Sequence, residues 1–413
     1  MSDVFTFWLP DDDNASTLRP LWTSESGICV CTFAAMFIYQ LIMLTIATLR
    51  GVYKFFLMRK RCNLLERYGG PGTYVAITGA SSGMGRILAH HFAELGFNLL
   101  LIGHSGCEKT KKECIDIAAG RLKAGEVDSS KEEEAEMRSF GEDEEKSVTV
   151  TAAEASAKPE TNVRTILCDF GEAAKESDFF APIEAAFEEL DVGVLINNVG
   201  QRFAWDPYHE FPKEQIEQVI SVGALTQARM TQIALKKFKS RSSSNAVAEE
   251  KKTSAVVFIT AMGHHPGSLL AVGQIEPWLT VPYLAVYEAA NQFGFYHANS
   301  VMAEYGNEFD FLNITPGAVF TENTKYLMRD PVCWMQGCHV EHFCANIVRF
   351  LGRVNGIHCA YWGHALSMHL LNILPFGHEV FKSWVGYSVG KLIASQHMEA
   401  YPNRPGGECG KTK

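Results

Sequence analysis

The chain has 413 residues, of which 47% are hydrophobic, so it is long enough to bury a sizeable core and carry additional segments. Its formal net charge of -10 argues against a nucleic-acid partner. Most of that charge lies in residues 126–160, which hold 12 Asp/Glu against 4 Lys/Arg. The acidity therefore characterises one segment and does not identify a substrate.

A charge-free run of 22 residues extends from Ile28 to Leu49. About 20 apolar residues are enough for a helix to span a bilayer. Acidic residues dominate before the run and basic residues follow it, so the positive-inside rule predicts a lumenal acidic tail over 1–27 and a cytosolic domain after a basic juxtamembrane linker over 50–68. The length of the tail disfavours the alternative of a cleaved signal peptide. Asn14, in an Asn-Ala-Ser sequon, is then a glycosylation site.

Beyond the linker, short apolar strands alternate with amphipathic helices, which predicts an α/β fold with a Rossmann-type, doubly wound parallel sheet behind the transmembrane helix. The strand Tyr74–Ile77 leads into the sequence TGASSGMG at 78–85. Gly79 permits a tight turn, Gly83 lets the backbone approach a pyrophosphate, and Gly85 allows close packing of helix on strand. The helix N-terminus then faces the phosphate charge. The predicted phosphate-binding residues are Gly79, Ser81, Ser82, Gly83, Met84 and Gly85.

Four motifs, in order over about residues 73–325, resemble those of short-chain dehydrogenases/reductases. They are the TGASSGMG loop, Asp169 at the end of a strand, the sequence NNVG at 197–200, and Pro316-Gly317 followed by Thr321. The resemblance implies that Asp169 contacts an adenine ring and that Asn198 and Gly200 steady the sheet beside the cofactor. It also implies that Pro316, Gly317 and Thr321 lie near a nicotinamide.

The NNVG variant and the N-terminal anchor are similar to those of membrane-bound very-long-chain 3-oxoacyl-CoA reductases and related hydroxysteroid dehydrogenases. This narrower resemblance implies a lipophilic substrate, acyl-CoA or steroid-like, an endoplasmic reticulum membrane and the cofactor NADP(H). NAD(H) is disfavoured because the second strand ends at Gly103-His104-Ser105 without the carboxylate that holds ribose hydroxyls. Arg86 is a candidate ligand for the 2'-phosphate of NADP(H).

The catalytic residues of this family are only partly present. In the family, a tyrosine donates a proton, a lysine four residues later lowers its pKa, a serine orients the substrate oxygen, and an asparagine anchors a water. The resemblance places Tyr287 as the catalytic acid and Asn291 at the lysine position, where it can still bind a ribose. Ala261 and Gly223 occupy the serine and asparagine positions.

Two functions therefore stay open. One is an oxidoreductase acting on a lipophilic carbonyl or alcohol, with Tyr287 as the acid. The other is a catalytically impaired pseudoenzyme that keeps the nucleotide fold as a membrane scaffold or regulator, as a homo-oligomer or with an active relative. The second predicts that lysine, serine and asparagine are tolerated structurally at 291, 261 and 223. His264 and His265 are an alternative proton donor or a solvated loop.

The remaining segments complete the predicted organisation. The dehydrogenase domain is predicted over 69–355, with a disordered acidic insertion at about 123–160 and a mobile loop over Lys236–Thr253. Residues 356–413 form a lid over the pocket or lie at the membrane interface. The unpatterned cysteines indicate reduced thiols, and the group Cys333, Cys338, His339 and His342 fits no zinc spacing, so no metal site is predicted.

Overall fold

The computed structural model describes residues 8–11, 14–20, 25–57, 62–124, 161–200, 208–245, 253–261, 283–321, 324, 337–366, 387–388 and 391. The chain divides into two compact units. The first comprises residues 1–60 with a short piece of the C-terminal region, and the second begins at Arg61. The acidic insertion from 125 to 160 and the segment 262–282, which contains His264 and His265, lie outside the described residues.

The first unit contains a strand pair and one long helix. Strands β1 (Trp8–Asp11) and β2 (Asn14–Pro20) pair antiparallel, and helix α1 (Glu25–Val52) follows, with a π-helical turn at Tyr53–Leu57. The helix predicted over the apolar run is therefore present. Within the described part of the chain, no helix combines the length and apolar character that crossing a membrane requires.

The second unit is built on a seven-stranded parallel sheet in the order β5-β4-β3-β6-β7-β8-β11. The strands of this unit are β3 (Tyr74–Thr78), β4 (Asn98–Gly103), β5 (Val163–Leu167), β6 (Val192–Asn197), β7 (Ala255–Ile259), β8 (Asp310–Ile314), β9 (Val319–Phe320), β10 (Cys338–His339) and β11 (Gly356–His358). Strands β9 and β10 form a separate parallel pair. The predicted doubly wound sheet is confirmed.

Helices alternate with these strands along the chain. They are α2 (Leu64–Tyr68), α3 (Gly83–Glu94), α4 (Cys107–Ala118), α5 (Ala181–Glu189), α6 (Lys213–Ile220), α7 (Thr226–Asn245), α8 (Ala285–Tyr305) and α9 (Val340–Phe350). Every residue of β3 and β6 is buried, because a parallel sheet is covered on both faces. The strand order reverses between β3 and β6, and ligands of such sheets bind in the crevice outside the carboxyl ends at this switch point.

One segment differs from the sequence prediction. The mobile loop predicted over Lys236–Thr253 is wrong as far as Asn245, because α7 continues to that residue. Phe238 is fully buried, and the guanidinium of Arg241 binds Asp191 at 2.6 Å and donates to the hydroxyl of Ser254 at 2.8 Å. The serine-rich, charged composition suggested a loop, but the contacts of these two inward-facing side chains stabilise the helix.

Elements on both sides of residues 69–355 pack into the second unit. At the C-terminal end, β11 joins the sheet by pairing with β8. At the N-terminal end, helix α2 packs Tyr68 into the core, where it is fully buried. The Tyr68 hydroxyl donates to Asp310 at 2.9 Å, and Arg67 binds the same carboxylate at 2.7 and 3.0 Å. Burial and the neighbouring Asp310 raise the pKa of Tyr68, so the phenol stays protonated as a donor.

Replacing Asp310 by asparagine is expected to destabilise the fold by about 2 kcal/mol, because Tyr68 and Arg67 lose a buried charged acceptor and the partial exposure of Arg67 limits the cost. The matched variant Tyr68→Phe removes one hydrogen bond and is expected to cost about 1 kcal/mol. Denaturant unfolding of the full chain in detergent measures both. A change within about 0.5 kcal/mol for Asp310→Asn would contradict a stabilising role for this network.

Candidate active site

The glycine-rich loop is tied to the neighbouring strand by the end of β6. The Thr78 hydroxyl accepts hydrogen bonds from the backbone N–H groups of Asn198 at 3.0 Å and Val199 at 3.1 Å. The Asn198 side-chain amide donates to the carbonyls of Thr78 at 3.0 Å and Gly79 at 3.2 Å. The carboxyl ends of β3 and β6 are thereby held together at the switch point. Sequence reasoning gave Thr78 no role, because a hydroxyl inside a loop motif carries no signal of its own.

Two glycines of the loop are required by its geometry. Gly79 has φ +66°, a conformation that favours glycine, and a Cβ there would lie 2.9 Å from the Cα of Val199. A Cβ on Gly85 would lie 2.2 Å from the Gly79 carbonyl oxygen and 2.6 Å from the Asn198 amide. The loop is therefore folded as tightly as backbone contact permits, and α3 begins directly after Ser82.

The structure brings one further predicted segment to the loop. A Cβ built on Gly83 would lie 3.6 Å from the Thr321 side chain, which places the end of the Pro316-Gly317 segment beside the start of α3. Ser81, Ser82 and Met84 are half-buried at the same edge, and Gly200 follows β6 with open space around its Cα. These residues therefore line one crevice at the carboxyl edge of the sheet.

Polar side chains also mark the ends of β4 and β5. His104 and Asp169 are mostly exposed, with Nε2 of the histidine 3.9 Å from Oδ1 of the aspartate. Asp169 also accepts from the Gly171 N–H at 2.8 Å and so caps a short 3-10 turn. An exposed carboxylate and imidazole at this position can meet the adenosine end of a bound dinucleotide.

The interpretation of Arg86 as a 2'-phosphate ligand is wrong. Arg86 is buried between α3 and α4, and its guanidinium binds both carboxylate oxygens of Glu113 at 2.8 and 2.6 Å. His90 contacts the same carboxylate at 2.9 Å. Burial raises the pKa of Glu113, but the hydrogen bonds from His90 and Arg86 outweigh it and lower the pKa below its ordinary value. Arg86 therefore joins α3 to α4, and its guanidinium is already paired with a buried carboxylate.

Replacing Arg86 by methionine is expected to cost about 3 kcal/mol of stability, because Glu113 is left buried without its cation. The lowered pKa means that this stabilisation is present above the ordinary carboxyl pKa of about 4.3 and is lost as the pH falls through the lower folded value. Unfolding measured from pH 7 to pH 3 should therefore show a shallower acid dependence in the variant. The ratio of the NADPH to the NADH dissociation constant should not change; about a tenfold rise in that ratio would mean that the guanidinium reaches the phosphate.

Tyr287 and Asn291 lie on the first two turns of α8. The Asn291 amide donates to the Tyr287 carbonyl at 3.1 Å. Burial raises the pKa of the Tyr287 phenol, and the nearby carboxylate of Glu288 raises it further. A hydrogen bond with Asn291 lowers this pKa, but the net shift is upward. No cation contributes to this balance among the described residues. The tyrosine is therefore a weaker acid than an ordinary phenol, opposite to what the family's lysine achieves.

The structure also bears on the other two replaced positions, Gly223 and Ala261. Gly223 lies on a π-helical turn at Ser221–Leu225, and a Cβ there would lie 2.9 Å from the Cβ of Ala290 on α8. Asparagine at 223 therefore requires Ala290 to shift, so this geometry argues against the prediction that asparagine is tolerated there, which stays a prediction. Thr260, next to Ala261, is buried and donates to Asn313 at 2.9 Å, so its hydroxyl does not replace the serine.

The C-terminal region contributes a residue that sequence reasoning missed. His364 is fully buried, and its Nδ1 accepts the Gly317 N–H at 3.2 Å. In the sequence, this histidine only interrupts an apolar stretch, so nothing marks it as part of the site.

Eight cysteines have side chains that the structure describes, and none of these eight forms a disulfide. Burial raises the pKa of Cys107, Cys168 and Cys338 to about 12, so these groups are protonated near neutral pH. Cys338 lies 3.7 Å from Nδ1 of His342, and Cys333 is outside the described residues.

The chain matches known proteins in sequence. Residues 139–331 match the family model described as short chain dehydrogenase. A very-long-chain 3-oxoacyl-CoA reductase of Aspergillus clavatus is 21% identical over 346 residues, which cover 81% of this chain and 76% of that protein. The enzyme of the same name from Homo sapiens is 23% identical over 313 residues, covering 74% of this chain and 77% of the relative.

A solved structure matches the fold. It is a protein from Beutenbergia cavernae assigned as an NAD(P)-dependent gluconate 5-dehydrogenase, with bound NADP. The TM-score is 0.50 at 18% identity, and the match covers 73% of this chain and 99% of that one. At this identity the likeness establishes the fold alone.

Proposed function

We propose that this chain, a short-chain dehydrogenase/reductase resembling the very-long-chain 3-oxoacyl-CoA reductases, is an NADP(H)-dependent oxidoreductase that acts on a lipophilic carbonyl or alcohol, such as an acyl-CoA or a steroid-like molecule. The observation that carries the proposal is the intact glycine loop at the switch point, with Asn198 bonded across it to Thr78 and Gly79. A loop this tightly constrained by glycines suits a pyrophosphate and has no other evident use.

The residues at the crevice fit a nicotinamide dinucleotide. Gly79, Gly83 and the N–H groups at the start of α3 would hold the pyrophosphate, with Ser81, Ser82, Met84 and Gly85 shaping the loop. Asp169 would meet the adenine, Asn291 the ribose, and the segment from Pro316 to Thr321 the nicotinamide. The cofactor, when bound, supplies or accepts hydride, and the protein supplies binding, orientation and proton transfer.

Tyr287 is the proposed proton donor for carbonyl reduction. Because burial raises its pKa and the family's lysine position holds the uncharged Asn291, its proton transfer should be slow compared with a complete tetrad. The same raised pKa supports the second candidate: a pseudoenzyme that retains cofactor binding and acts as a scaffold or regulator, alone or with an active relative.

The first test is a titration of the protein with NADPH and with NADH, in which nicotinamide fluorescence measures binding. The second test is a screen of long-chain 3-oxoacyl-CoA and steroid substrates for turnover. The oxidoreductase proposal expects NADPH oxidation that Tyr287→Phe lowers by about 10²-fold or more. Full turnover in Tyr287→Phe would overturn the assigned acid. Binding without turnover of any substrate would favour the pseudoenzyme, and absence of binding would reject both.

NADP(H) is proposed over NAD(H) because the exposed side chain at the end of β4 is His104, which cannot hold ribose hydroxyls as a carboxylate does. The variant His104→Asp is expected to shift preference towards NADH. Dissociation constants for both cofactors decide this, and an unchanged ratio would remove His104 from the argument.

Attachment to a membrane, with the catalytic unit in the cytosol and an endoplasmic reticulum location, is proposed from the charge-free run and its basic C-terminal flank. Several described apolar side chains of α1 are exposed, among them Phe37, Ile38 and Leu41. A glycosidase-sensitive mass shift that disappears in Asn14→Gln would support a lumenal N-terminus. Glycosylation at Asn313 instead would reverse the topology.

A further inference from the structure

The segment from Thr315 to Thr321 makes hydrogen bonds and strand pairing with residues that follow it in the C-terminal part of the domain. The Thr315 N–H donates to the His358 carbonyl at 3.1 Å, and its hydroxyl lies 3.4 Å from the thiol of Cys359. Further along, β9 pairs with β10 through Val319 and Cys338. The middle of the segment, at Pro316-Gly317, lies between these two sets of contacts.

His364 supplies the contact at that middle point. Its side chain is fully buried, with ring centroids 5.9 Å from Phe343 and 5.1 Å from Tyr361. Nδ1 accepts the Gly317 N–H at 3.2 Å. A ring nitrogen that accepts a backbone proton must itself be unprotonated, so this contact requires the neutral imidazole with its proton on Nε2.

We propose that His364 is a positioning residue for the nicotinamide end of the cofactor. It fixes the main chain at Gly317 and thereby sets where the segment Pro316–Thr321 meets the nicotinamide, while the adenosine and pyrophosphate ends are held by other elements. The inference rests on the proposed function, because it needs a bound dinucleotide. It assigns to the C-terminal region a part of the binding site.

A packing role alone would make a different prediction. If His364 only filled space, its loss would weaken the whole domain and lower the affinity for every part of the cofactor together. If His364 positions Gly317, its replacement should weaken only the binding of the nicotinamide end of the cofactor. A substitute that keeps an acceptor near the Nδ1 position should also rescue binding, whatever its size.

The experiment compares His364→Asn with His364→Gln in the full chain. Asparagine places its side-chain oxygen close to the Nδ1 position, whereas glutamine places it one carbon further out. Calorimetry measures the affinity for NADPH and for 2'-phospho-ADP-ribose, which lacks the nicotinamide. We expect His364→Gln to weaken NADPH binding about tenfold, or about 1.4 kcal/mol, while the affinity for the fragment and the NADPH affinity of His364→Asn stay within about threefold of the parent.

Equal NADPH affinity in the parent and His364→Gln would overturn the inference, as would an equal loss for NADPH and the fragment. If a buried amide prevents folding, His364→Leu, which has no acceptor, replaces the glutamine variant and the same comparison applies. Binding of neither probe by the parent chain would overturn the proposed function itself, and with it this inference. Normal binding by the parent with no selective loss overturns the inference alone.

Discussion

Gly85→Ala is expected to reduce NADPH affinity by about a hundredfold, or about 2.7 kcal/mol. The added Cβ would lie 2.2 Å from the Gly79 carbonyl oxygen and 2.6 Å from the Asn198 amide, so the loop and the end of β6 must separate. That movement breaks the hydrogen bonds from Asn198 that hold the carboxyl ends of β3 and β6 together. Overpacking of this kind costs about 1–3 kcal/mol of stability as well.

Gly51→Ala is the matched control, because it makes the same chemical change on α1, where no described atom beyond the neighbouring backbone of that helix lies within 4 Å of the added Cβ. It should leave NADPH binding unchanged. Calorimetric titration of the parent and the two variants provides the measurement, with thermal unfolding recorded in parallel. Parent-like NADPH affinity in Gly85→Ala would show that the loop does not need its present geometry to bind the cofactor.

Asn291→Lys is expected to lower the pKa of Tyr287, because a cation one helical turn away favours the phenolate. The present hydrogen bond with Asn291 is too weak to overcome burial, so the pKa is raised in the native chain. Where proton transfer limits turnover, carbonyl reduction should accelerate by about tenfold or more. Ultraviolet titration of the phenolate, as a difference against Tyr287→Phe, measures the pKa directly.

Asn291→Met separates charge from side-chain length, since methionine is nearly as long as lysine and carries no charge. It should leave the pKa of Tyr287 raised and turnover no faster than in the parent. Acceleration by both variants would attribute the effect to side-chain length or packing. A lowered pKa without faster turnover would locate the limiting step elsewhere, at the positions of Ala261 and Gly223.

Sequence patterns predicted the fold correctly where the structure depends on residues close together in the chain. The strand Tyr74–Thr78 and the glycine loop after it could be predicted because an apolar run, a turn and an amphipathic helix each depend on neighbouring residues. Amino-acid composition alone was a less reliable guide to whether a segment is helical. The serine-rich end of α7 was predicted as a loop, because the burial of Phe238 and the pairing of Arg241 with Asp191 come from distant segments.

The sequence by itself was enough to predict the doubly wound sheet, to locate the glycine-rich loop after β3 and to show Asn291 where the resembling family has its lysine. Only the tertiary structure decided what the polar side chains contact. Arg86 is bound by Glu113 on another helix, and Ala290 occupies the space next to Gly223. His364 accepts a hydrogen bond from Gly317, 47 residues away in the chain. The physical reason is that a backbone pattern is fixed by residues a few positions apart, whereas the partner of a buried polar group is chosen by packing between elements far apart in sequence.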